Sequence, residues 1–211
     1  MIAIVDYGAG NVASVRKAIA LLGADAALTA DPATLARASM LVFPGQGHFG
    51  QAMARLRARG LDEVLQAFVA TGKPFVGICL GVQLLFDSSD EAPGVAGLGL
   101  LPGHVRRFAE RGPDGVRVTI PQIGWNRLEL QRHGTPLDAI GDAHVYFVHS
   151  YHVVPRETAV VTATAVHGER FVAAVQRDNL LAVQFHPEKS GAAGLRLWSS
   201  LLGSRWWERP C

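Results

Sequence analysis

The segment from Lys73 to Gly81, Lys-Pro-Phe-Val-Gly-Ile-Cys-Leu-Gly, constrains the fold more than any other part of the chain. Its apolar residues at 74–78 predict a buried strand that runs directly into a helix, with Cys79 at the turn. Gly77 and Gly81 flank the cysteine at two positions on either side, where a missing side chain relieves the crowding of so sharp a turn. This is the nucleophile-elbow pattern, with cysteine in place of serine. It predicts a reactive Cys79 at a helix N-terminus, where backbone N–H groups stabilise a thiolate.

The first half of the chain repeats this alternation of short apolar runs with helical patterns. Strands are predicted at Ile2–Val5, Ala26–Thr29, Met40–Phe43 and Pro74–Ile78, and helices at Val12–Leu22, Gly50–Arg59 and Leu61–Thr71. A β-α-β-α order implies a parallel sheet with helices on both faces, joined by right-handed crossovers.

The second half has closely spaced strands with few helices between them. We predict strands at Val105–Phe108, Val116–Ile120, Arg127–Leu130, Val145–His149, Val160–Val166, Phe171–Gln176 and Leu181–Phe185, and a closing helix at Gly194–Leu202. Close spacing favours antiparallel hairpins. The predicted fold is therefore α/β: a three-layer open mixed sheet, mostly parallel, with antiparallel hairpins in the C-terminal half. We expect one domain over residues 1–211.

The composition excludes several classes of function. The 211 residues carry a net charge of only +2 without blocks of like charge, which argues against nucleic-acid binding. No apolar run approaches the roughly 18 residues of a membrane span, and the N-terminus lacks a basic leader. The only cysteines are Cys79 and Cys211, so we expect no disulfide framework. No His/Cys cluster has metal-ligand spacing. We therefore expect a cytoplasmic protein without a metal, a cofactor or a membrane partner.

A base for the nucleophile is predicted at the end of a later strand. The apolar run at 180–185 ends at His186, Pro187 blocks a regular continuation, and Glu188 follows. At strand-like spacing the side chains at i and i+2 point the same way, so Glu188 can orient the imidazole. Cys79 and His186 both follow sheet strands, at the edge where α/β proteins place their sites. Together with Glu188 they complete a predicted triad.

These motifs resemble the class I glutamine amidotransferases across nearly the whole chain. The elbow Gly77–Gly81 with Val82-Gln-Leu-Leu-Phe86, and the segment Phe185-His-Pro-Glu188, are similar to the two signatures of that family. Further segments are similar to the branch whose glutaminases act with a separate (β/α)₈ cyclase in histidine biosynthesis. They are Asp6-Tyr-Gly-Ala-Gly-Asn11, Pro44-Gly-Gln-Gly-His-Phe49, Gly124-Trp-Asn126, Tyr146-Phe-Val-His-Ser-Tyr151 and Lys189-Ser190.

The resemblance implies hydrolysis of L-glutamine to glutamate and ammonia, and a heterodimer with the cyclase subunit, which receives the ammonia. It implies Cys79 as nucleophile, His186 as base and Glu188 as its partner; backbone groups of Gly45, Gln46, Gly47 and Leu80 for the oxyanion; Gln83, Glu91, Ser150 and Tyr151 for glutamine; and Asn11, Trp125, Tyr146 and Lys189 toward the cyclase. The three glycines between Gly45 and Gly50 permit a peptide flip. We therefore expect the oxyanion loop to be assembled only when the cyclase holds its nucleotide.

Other functions remain open on the sequence alone. The segment Gly8–Ala13 follows a strand and fits G-x-G-x-x-A, which is a dinucleotide-binding pattern. A nicotinamide dehydrogenase is therefore one alternative, although it leaves the triad unexplained. A cysteine peptidase or γ-glutamyl hydrolase would keep the elbow with a different substrate. A glutaminase of another amidotransferase pathway, or a docking subunit with an inactive triad, completes the alternatives.

Overall fold

A central sheet of eight strands organises the computed structural model, which describes residues 1–8 and 12–208. The strands of the chain are β1 (Ile2–Val5), β2 (Ala26–Thr29), β3 (Met40–Gly45), β4 (Phe75–Cys79), β5 (Ser88–Ser89), β6 (Gly103–Arg107), β7 (Gln122–Arg127), β8 (Glu129–Leu130), β9 (His144–His149), β10 (Tyr151–Pro155), β11 (Val161–His167), β12 (Glu169–Arg177) and β13 (Leu180–Val183). The central sheet has the order β2-β1-β3-β4-β13-β12-β11-β8. Its first five strands are parallel, and β12, β11 and β8 extend it with antiparallel pairs. The predicted mixed, mostly parallel sheet is confirmed.

Helices cover both faces of this sheet. They are α1 (Val12–Ala20), α2 (Pro32–Arg37), α3 (Phe49–Arg57), α4 (Leu61–Ala70), α5 (Leu80–Leu84) and α6 (Gly191–Gly203). The apolar residues of α1 and α6 pack on one face with Ile4, Val42 and Val76, whereas those of α2 to α5 pack on the other with Val5 and Phe43. Strands β3, β4 and β13 are buried along their whole length because both faces are covered. The result is the predicted three-layer arrangement.

Two smaller sheets lie beside the central one. Strand β6 pairs with β10 antiparallel and with β5 parallel, and β7 pairs with β9 antiparallel. The β7–β9 pair is joined to the central sheet near the end of β13, where the backbone N–H of His186 donates to the carbonyl of Tyr146. Strand β9 reaches the carboxyl end of β4, where the carbonyl oxygen of Val148 lies 4.0 Å from Sγ of Cys79. Among the described residues, no helix is long and apolar enough to cross a bilayer.

Several predicted elements differ from the structure. The strand predicted at Val116–Ile120 is wrong: this part holds a turn through Asp114 and Gly115, closed by an isolated bridge between Arg111 and Arg117. Val116 is 63% exposed there, so its apolar side chain does not mark a buried strand. The prediction of a strand at Arg127–Leu130 is wrong in its bounds: Arg127 is the last residue of β7, whose residues 122–126 were not predicted, and only Glu129–Leu130 form β8.

Candidate active site

Cys79 lies at the junction between β4 and α5, as the elbow pattern predicts. Its backbone has φ +56° and ψ −113°, a conformation that residues other than glycine rarely adopt. The neighbouring glycines make the junction sterically possible. A Cβ on Gly81 would lie 2.0 Å from the carbonyl oxygen of Phe43, and one on Gly77 would lie 2.9 Å from Cβ of Ala182. The predicted role of these two glycines in relieving crowding is therefore consistent with the packing.

His186 and Glu188 form the second part of the site. Strand β13 ends at Val183, and His186 precedes a 3₁₀ turn at Pro187–Lys189. Nδ1 of His186 lies 2.7 Å from Oε1 of Glu188, and both side chains are only 2% exposed. The contact was expected from strand-like spacing, but the 3₁₀ turn brings the two side chains together instead.

The electrostatics of His186 favour its protonated form. Burial is the largest single influence and lowers its pKa, but the interactions with Cys79 and then Glu188 together outweigh burial and raise the pKa to about 10. An imidazolium beside the sulfur is the arrangement that a cysteine nucleophile requires. Ser190 fixes the backbone behind the ring, because its hydroxyl donates to the carbonyl of His186 at 2.7 Å and accepts from the N–H of Tyr146 at 3.0 Å.

A cavity of about 470 Å³ opens in front of Cys79. The predicted site residues that line it are Gln46, Gly47, Cys79, Leu80, Gln83, Glu91, Ser150, Tyr151, His186 and Lys189. Pro121, Val148 and His149 also line it and were not predicted. The structure thus brings together residues of β4, α5, β9 and β10 with residues from the segments that follow β3 and β13.

The predicted oxyanion loop follows β3 directly. Gly45 is the last residue of β3 and pairs with Cys79 across the sheet. A Cβ on Gly45 would lie 2.5 Å from the hydroxyl of Tyr7 and 2.9 Å from Cβ of Leu80, so only glycine fits. Gly47 has φ +98°, which also favours glycine. His48 then caps α3, because its Nδ1 accepts from the N–H of Gly50 at 3.1 Å.

Gln83 and Glu91 line the cavity but also make contacts within the protein. Nε2 of Gln83 lies 3.0 Å from the carbonyl oxygen of Tyr151 and 3.0 Å from Oε1 of Gln184. Oε2 of Glu91 accepts from the backbone N–H of Phe49 at 2.7 Å, at the end of the oxyanion loop. Both side chains are thus held in place before any ligand binds.

Three of the predicted partner-facing residues form one cluster beside the cavity. The rings of Trp125 and Tyr146 have centroids 6.1 Å apart, and Nζ of Lys189 lies 5.8 Å from the centroid of Tyr146. Trp125 is 57% exposed and Ile123, on the same side of β7, is 64% exposed. The fourth predicted residue, Asn11, lies outside the described residues.

Sequence reasoning missed Gln184, whose side chain lies next to Cys79. Its side chain is fully buried, and its Nε2 lies 3.9 Å from Sγ of Cys79. One signal was available: Gln184 is a polar residue in the otherwise apolar run from Leu180 to Phe185. His149 was also missed as a cavity residue. Burial, the largest influence, lowers the pKa of His149 to about 3.

Comparisons with known proteins agree with this arrangement. The model of the family "glutamine amidotransferase class-I" matches residues 3–196. The imidazole glycerol phosphate synthase subunit HisH of Geobacillus thermodenitrificans is 46% identical over 203 residues, covering 96% of this chain and 95% of that protein. The HisH subunit of Gloeobacter violaceus is 51% identical, covering 93% and 86%. That of Methanothermobacter thermautotrophicus is 49% identical, covering 92% and 94%.

Solved structures share the fold at lower identity. A crystal structure of a glutamine amidotransferase has a TM-score of 0.71 at 23% identity, covering 97% of this chain and 100% of that one. The structure of PurLQS from Thermotoga maritima has a TM-score of 0.74 at 19% identity, covering 95% and 96%. The fold, the family match and relatives of nearly equal length lead to one assignment. The chain belongs to the class I glutamine amidotransferases and, within them, to the HisH subunits of imidazole glycerol phosphate synthase.

Proposed function

We propose that this chain hydrolyses the side-chain amide of glutamine with Cys79, His186 and Glu188 and delivers the ammonia to a (β/α)₈ cyclase subunit. One observation carries the proposal: a buried histidine, held at 2.7 Å by a buried glutamate, shares a cavity of about 470 Å³ with a cysteine on a strained strand–helix turn. This arrangement combines a nucleophile, a proton donor and an orienting carboxylate.

The chemistry follows from the two protonation states of His186. The sulfur of Cys79 attacks the amide carbon of glutamine, and the imidazolium of His186 gives its proton to the departing nitrogen, which leaves as ammonia. A thioester remains on Cys79. His186, now neutral, takes a proton from a water molecule that attacks the thioester, and glutamate leaves with the sulfur restored. Glu188 keeps the ring oriented through both steps because its carboxylate accepts from Nδ1.

The oxyanion of each tetrahedral intermediate requires donors near the sulfur. We assign them to the backbone of Leu80 and of the loop at Gly45, Gln46 and Gly47. One well-placed donor typically contributes about 3–4 kcal/mol to lowering the barrier. A single misoriented peptide in this loop would therefore keep the isolated subunit nearly inactive. We propose that binding of the nucleotide-loaded cyclase reorients it.

We assign the recognition of glutamine to Gln83, Glu91, Ser150 and Tyr151. A carboxylate and an amide oxygen suit the α-ammonium group, and N–H and hydroxyl donors suit the α-carboxylate. Glu91 has a further consequence in this scheme. Because its carboxylate also holds the N–H of Phe49, the ammonium of the substrate would neutralise a group that anchors the end of the oxyanion loop.

We assign the cyclase interface to the cluster of Trp125, Tyr146 and Lys189; the assignment of Asn11 to it rests on the resemblance of the sequence alone. An exposed tryptophan next to a tyrosine and a cation is typical of an interface anchor. Lys189 also lines the cavity, so the cluster adjoins the place where ammonia is released. This continuity supports direct transfer of ammonia between the subunits.

A catalytic thiol must stay reduced, which supports a cytoplasmic location. We regard residues 1–211 as one domain.

Delivery of ammonia is tested by isotope competition in the reconstituted complex. The complex with a purified cyclase barrel and its nucleotide receives glutamine labelled with nitrogen-15 at the amide, in the presence of unlabelled ammonium. We expect the cyclised product to carry undiluted label. Label diluted to the level of the bulk ammonium would contradict direct delivery, although hydrolysis would stand.

Activation by the partner is tested by glutamate release without and with the loaded barrel. We expect strong stimulation, because the loop must be reoriented. Full activity of the isolated chain would contradict the loop mechanism. In Trp125→Ala the stimulation should be lost. Val154→Ala, at an exposed position on β10, serves as the control and should be stimulated as strongly as the wild type. This pair of results would support the assigned interface.

The family assignment contradicts two of the alternatives. A nicotinamide dehydrogenase and a cysteine peptidase both lie outside the class I glutamine amidotransferases. A γ-glutamyl hydrolase and a glutaminase of another pathway are contradicted by the relatives, which are HisH subunits that match over nearly their whole length. An inactive docking subunit is the alternative that direct measurement of hydrolysis decides.

A further inference from the structure

We propose that Gln184 is a further catalytic residue, whose side-chain amide donates an N–H to the sulfur of Cys79 and is held in that orientation by Gln83. The inference deepens the proposed function and rests on Cys79 being the nucleophile. It adds a contact to the reacting atom from the residue that follows β13, the strand next to β4 on the side away from β3 and the oxyanion loop.

The sheet register explains why Gln184 reaches the sulfur. Strands β4 and β13 are parallel neighbours, and Val183 pairs with Ile78. The residues that follow this pair, Gln184 and Cys79, therefore lie side by side. Its backbone is fixed by a hydrogen bond from its N–H to the carbonyl of Ala173 at 2.8 Å. A fully buried amide at this position must use its polar atoms within the site.

The backbone carbonyl of Tyr151 determines how the side-chain amides of Gln83 and Gln184 are oriented, that is, where the oxygen and the nitrogen of each lie. The carbonyl oxygen of Tyr151 can only accept, so the side-chain atom of Gln83 at 3.0 Å from it must be Nε2. The same Nε2 lies 3.0 Å from the side chain of Gln184, where it must meet an acceptor, which is Oε1. Only Nε2 of Gln184 is then left to face Sγ of Cys79, at 3.9 Å. The orientation follows from hydrogen-bond chemistry alone.

An N–H directed at sulfur favours the negatively charged form, because a charge-assisted hydrogen bond is stronger than a neutral one. Gln184 therefore stabilises the attacking thiolate and, in the second step, the thiolate that leaves when glutamate is released. The carbonyl oxygen of Val148 lies 4.0 Å from Sγ and favours the protonated thiol, because it can accept a hydrogen bond from the S–H. Gln184 supplies the compensating donor.

The same chain of amides links the sulfur to the substrate site. Nε2 of Gln83 is used by Tyr151 and Gln184, whereas Oε1 of Gln83 has no partner among the described residues, and Gln83 lines the cavity. An α-ammonium group bound at that oxygen would polarise both amides toward stronger donation. Bound glutamine would thereby strengthen the hydrogen bond to the nucleophile that attacks it.

The test measures the reactivity of the thiol directly, without any need for glutamine. In a Cys211→Ser background, the rate of Cys79 alkylation by iodoacetamide is followed against pH. Gln184→Met removes the donor at similar length, and we expect the midpoint of the profile to move upward by about one pH unit. Gln184→Glu is isosteric but places an acceptor at the sulfur, so its midpoint moves further. Unchanged midpoints in both variants would overturn the proposal.

Two additional readouts separate chemistry from misfolding and test the link to Gln83. In the loaded complex, kcat of Gln184→Met should fall about tenfold at neutral pH and recover partly at alkaline pH, which a collapsed structure would not do. Gln83→Leu should move the alkylation midpoint less than Gln184→Met and should add nothing in that background. Full additivity would overturn the amide link. A shifted profile in a protein that hydrolyses no glutamine would sink the proposed function but not this contact.

Discussion

The conformation of Cys79 shows how single residues create the site. Its φ of +56° is unfavourable for a residue with a side chain, and it persists because the surrounding structure leaves no alternative. The peptide turns from β4 into α5 at one residue, which places Sγ in the cavity. Gly81 passes so close to the carbonyl of Phe43 that no side chain fits. The conformation of Cys79 is therefore held by the close packing of α5 against β3.

A substitution at Gly81 should break this arrangement. In Gly81→Ala the new Cβ would meet backbone atoms that cannot move aside, so we expect a loss of stability of about 3 kcal/mol and loss of glutaminase activity. Gly203→Ala is a matched control, since a Cβ there has no neighbour within 4 Å. Chemical denaturation and activity in the loaded complex provide the measurements. Equal stabilities of the two variants would show that the close approach is not a real constraint.

The contact between Glu188 and His186 leads to a second prediction. Glu188→Gln keeps an amide oxygen that can accept from Nδ1 but removes the negative charge that helps to raise the pKa of His186, so the imidazolium loses its charge partner. We expect kcat in the loaded complex to fall by about 10²–10³-fold, with little change in cyclase binding. The exposed Glu63→Gln on α4 should behave as wild type. A kcat within twofold of wild type would remove Glu188 from the triad.

At the scale of elements, strands with strong periodicity could be predicted from sequence and contacts between distant segments could not. The parallel strands from β1 to β4 are predicted within two residues at either end, because β1, β3 and β4 are runs of mostly apolar residues. Strand β10 and helix α2 were missed, since a short, half-buried element has little periodicity. The sequence assigns roles to Cys79, His186 and Glu188 from local motifs, and the structure brings these residues to one cavity or its wall. Gln184 was not given a role, because its role depends on the register between β4 and β13.

The junction opposite the site provides a prediction about elements. Nδ2 of Asn179 donates to the carbonyls of Val69 and Lys73, at 2.9 and 2.6 Å, and so joins the end of α4 to the start of β4 and β13. Asn179→Ala leaves both carbonyls without this donor, and we expect the free energy of unfolding to fall by about 1–3 kcal/mol. Asn179→Asp should be worse, because it turns a carboxylate toward the same carbonyls.

Activity gives the control for this junction. Asn179 is at the opposite end of β13 from His186, so the stable fraction of either variant should hydrolyse glutamine at the normal rate in the loaded complex. Denaturant titration measures the stability. An unchanged unfolding midpoint in both variants would show that these hydrogen bonds make no net contribution.

The whole molecule should be sensitive to acid. Burial, and after it the nearby positive charge of Arg106, lowers the pKa of His152 to about 4. Burial also lowers the pKa of His149, to about 3. In the unfolded chain both titrate near the ordinary value of about 6.5. Below that pH the unfolded state binds protons that the folded state cannot, so stability falls as the pH drops from about 6.5 toward 4.

The pKa of His186 is shifted in the opposite direction, but this shift does not cancel the loss of stability at low pH. Its folded pKa is raised, so its contribution is complete below about 6.5 and is lost only as the pH rises toward about 10. Unfolding free energies measured between pH 7 and about 4.5 should therefore decline. His152→Leu should make the decline shallower, although the variant loses the contact with Glu169. Parallel curves for the two proteins would contradict the assignment of acid sensitivity to His152.

A continuous series of contacts leads from the cavity at Cys79 to the exposed cluster of Trp125, Tyr146 and Lys189. The cavity in front of Cys79 adjoins Lys189, which contacts Tyr146, which in turn contacts the exposed Trp125. In the proposed function, glutamine enters the cavity and ammonia leaves toward the cyclase docked on that cluster. Hydrolysis at Cys79 is the step on which the rest depends.

Glutamate release by the wild-type chain and by Cys79→Ala, each in complex with the nucleotide-loaded cyclase barrel, tests this step most directly. The wild-type complex should release glutamate, and the variant should release none while binding the barrel with unchanged affinity and still allowing the cyclase to use added ammonium. Release of glutamate by Cys79→Ala at the wild-type rate would contradict the assigned nucleophile. Absence of release from the wild-type complex would identify the chain as an inactive docking subunit.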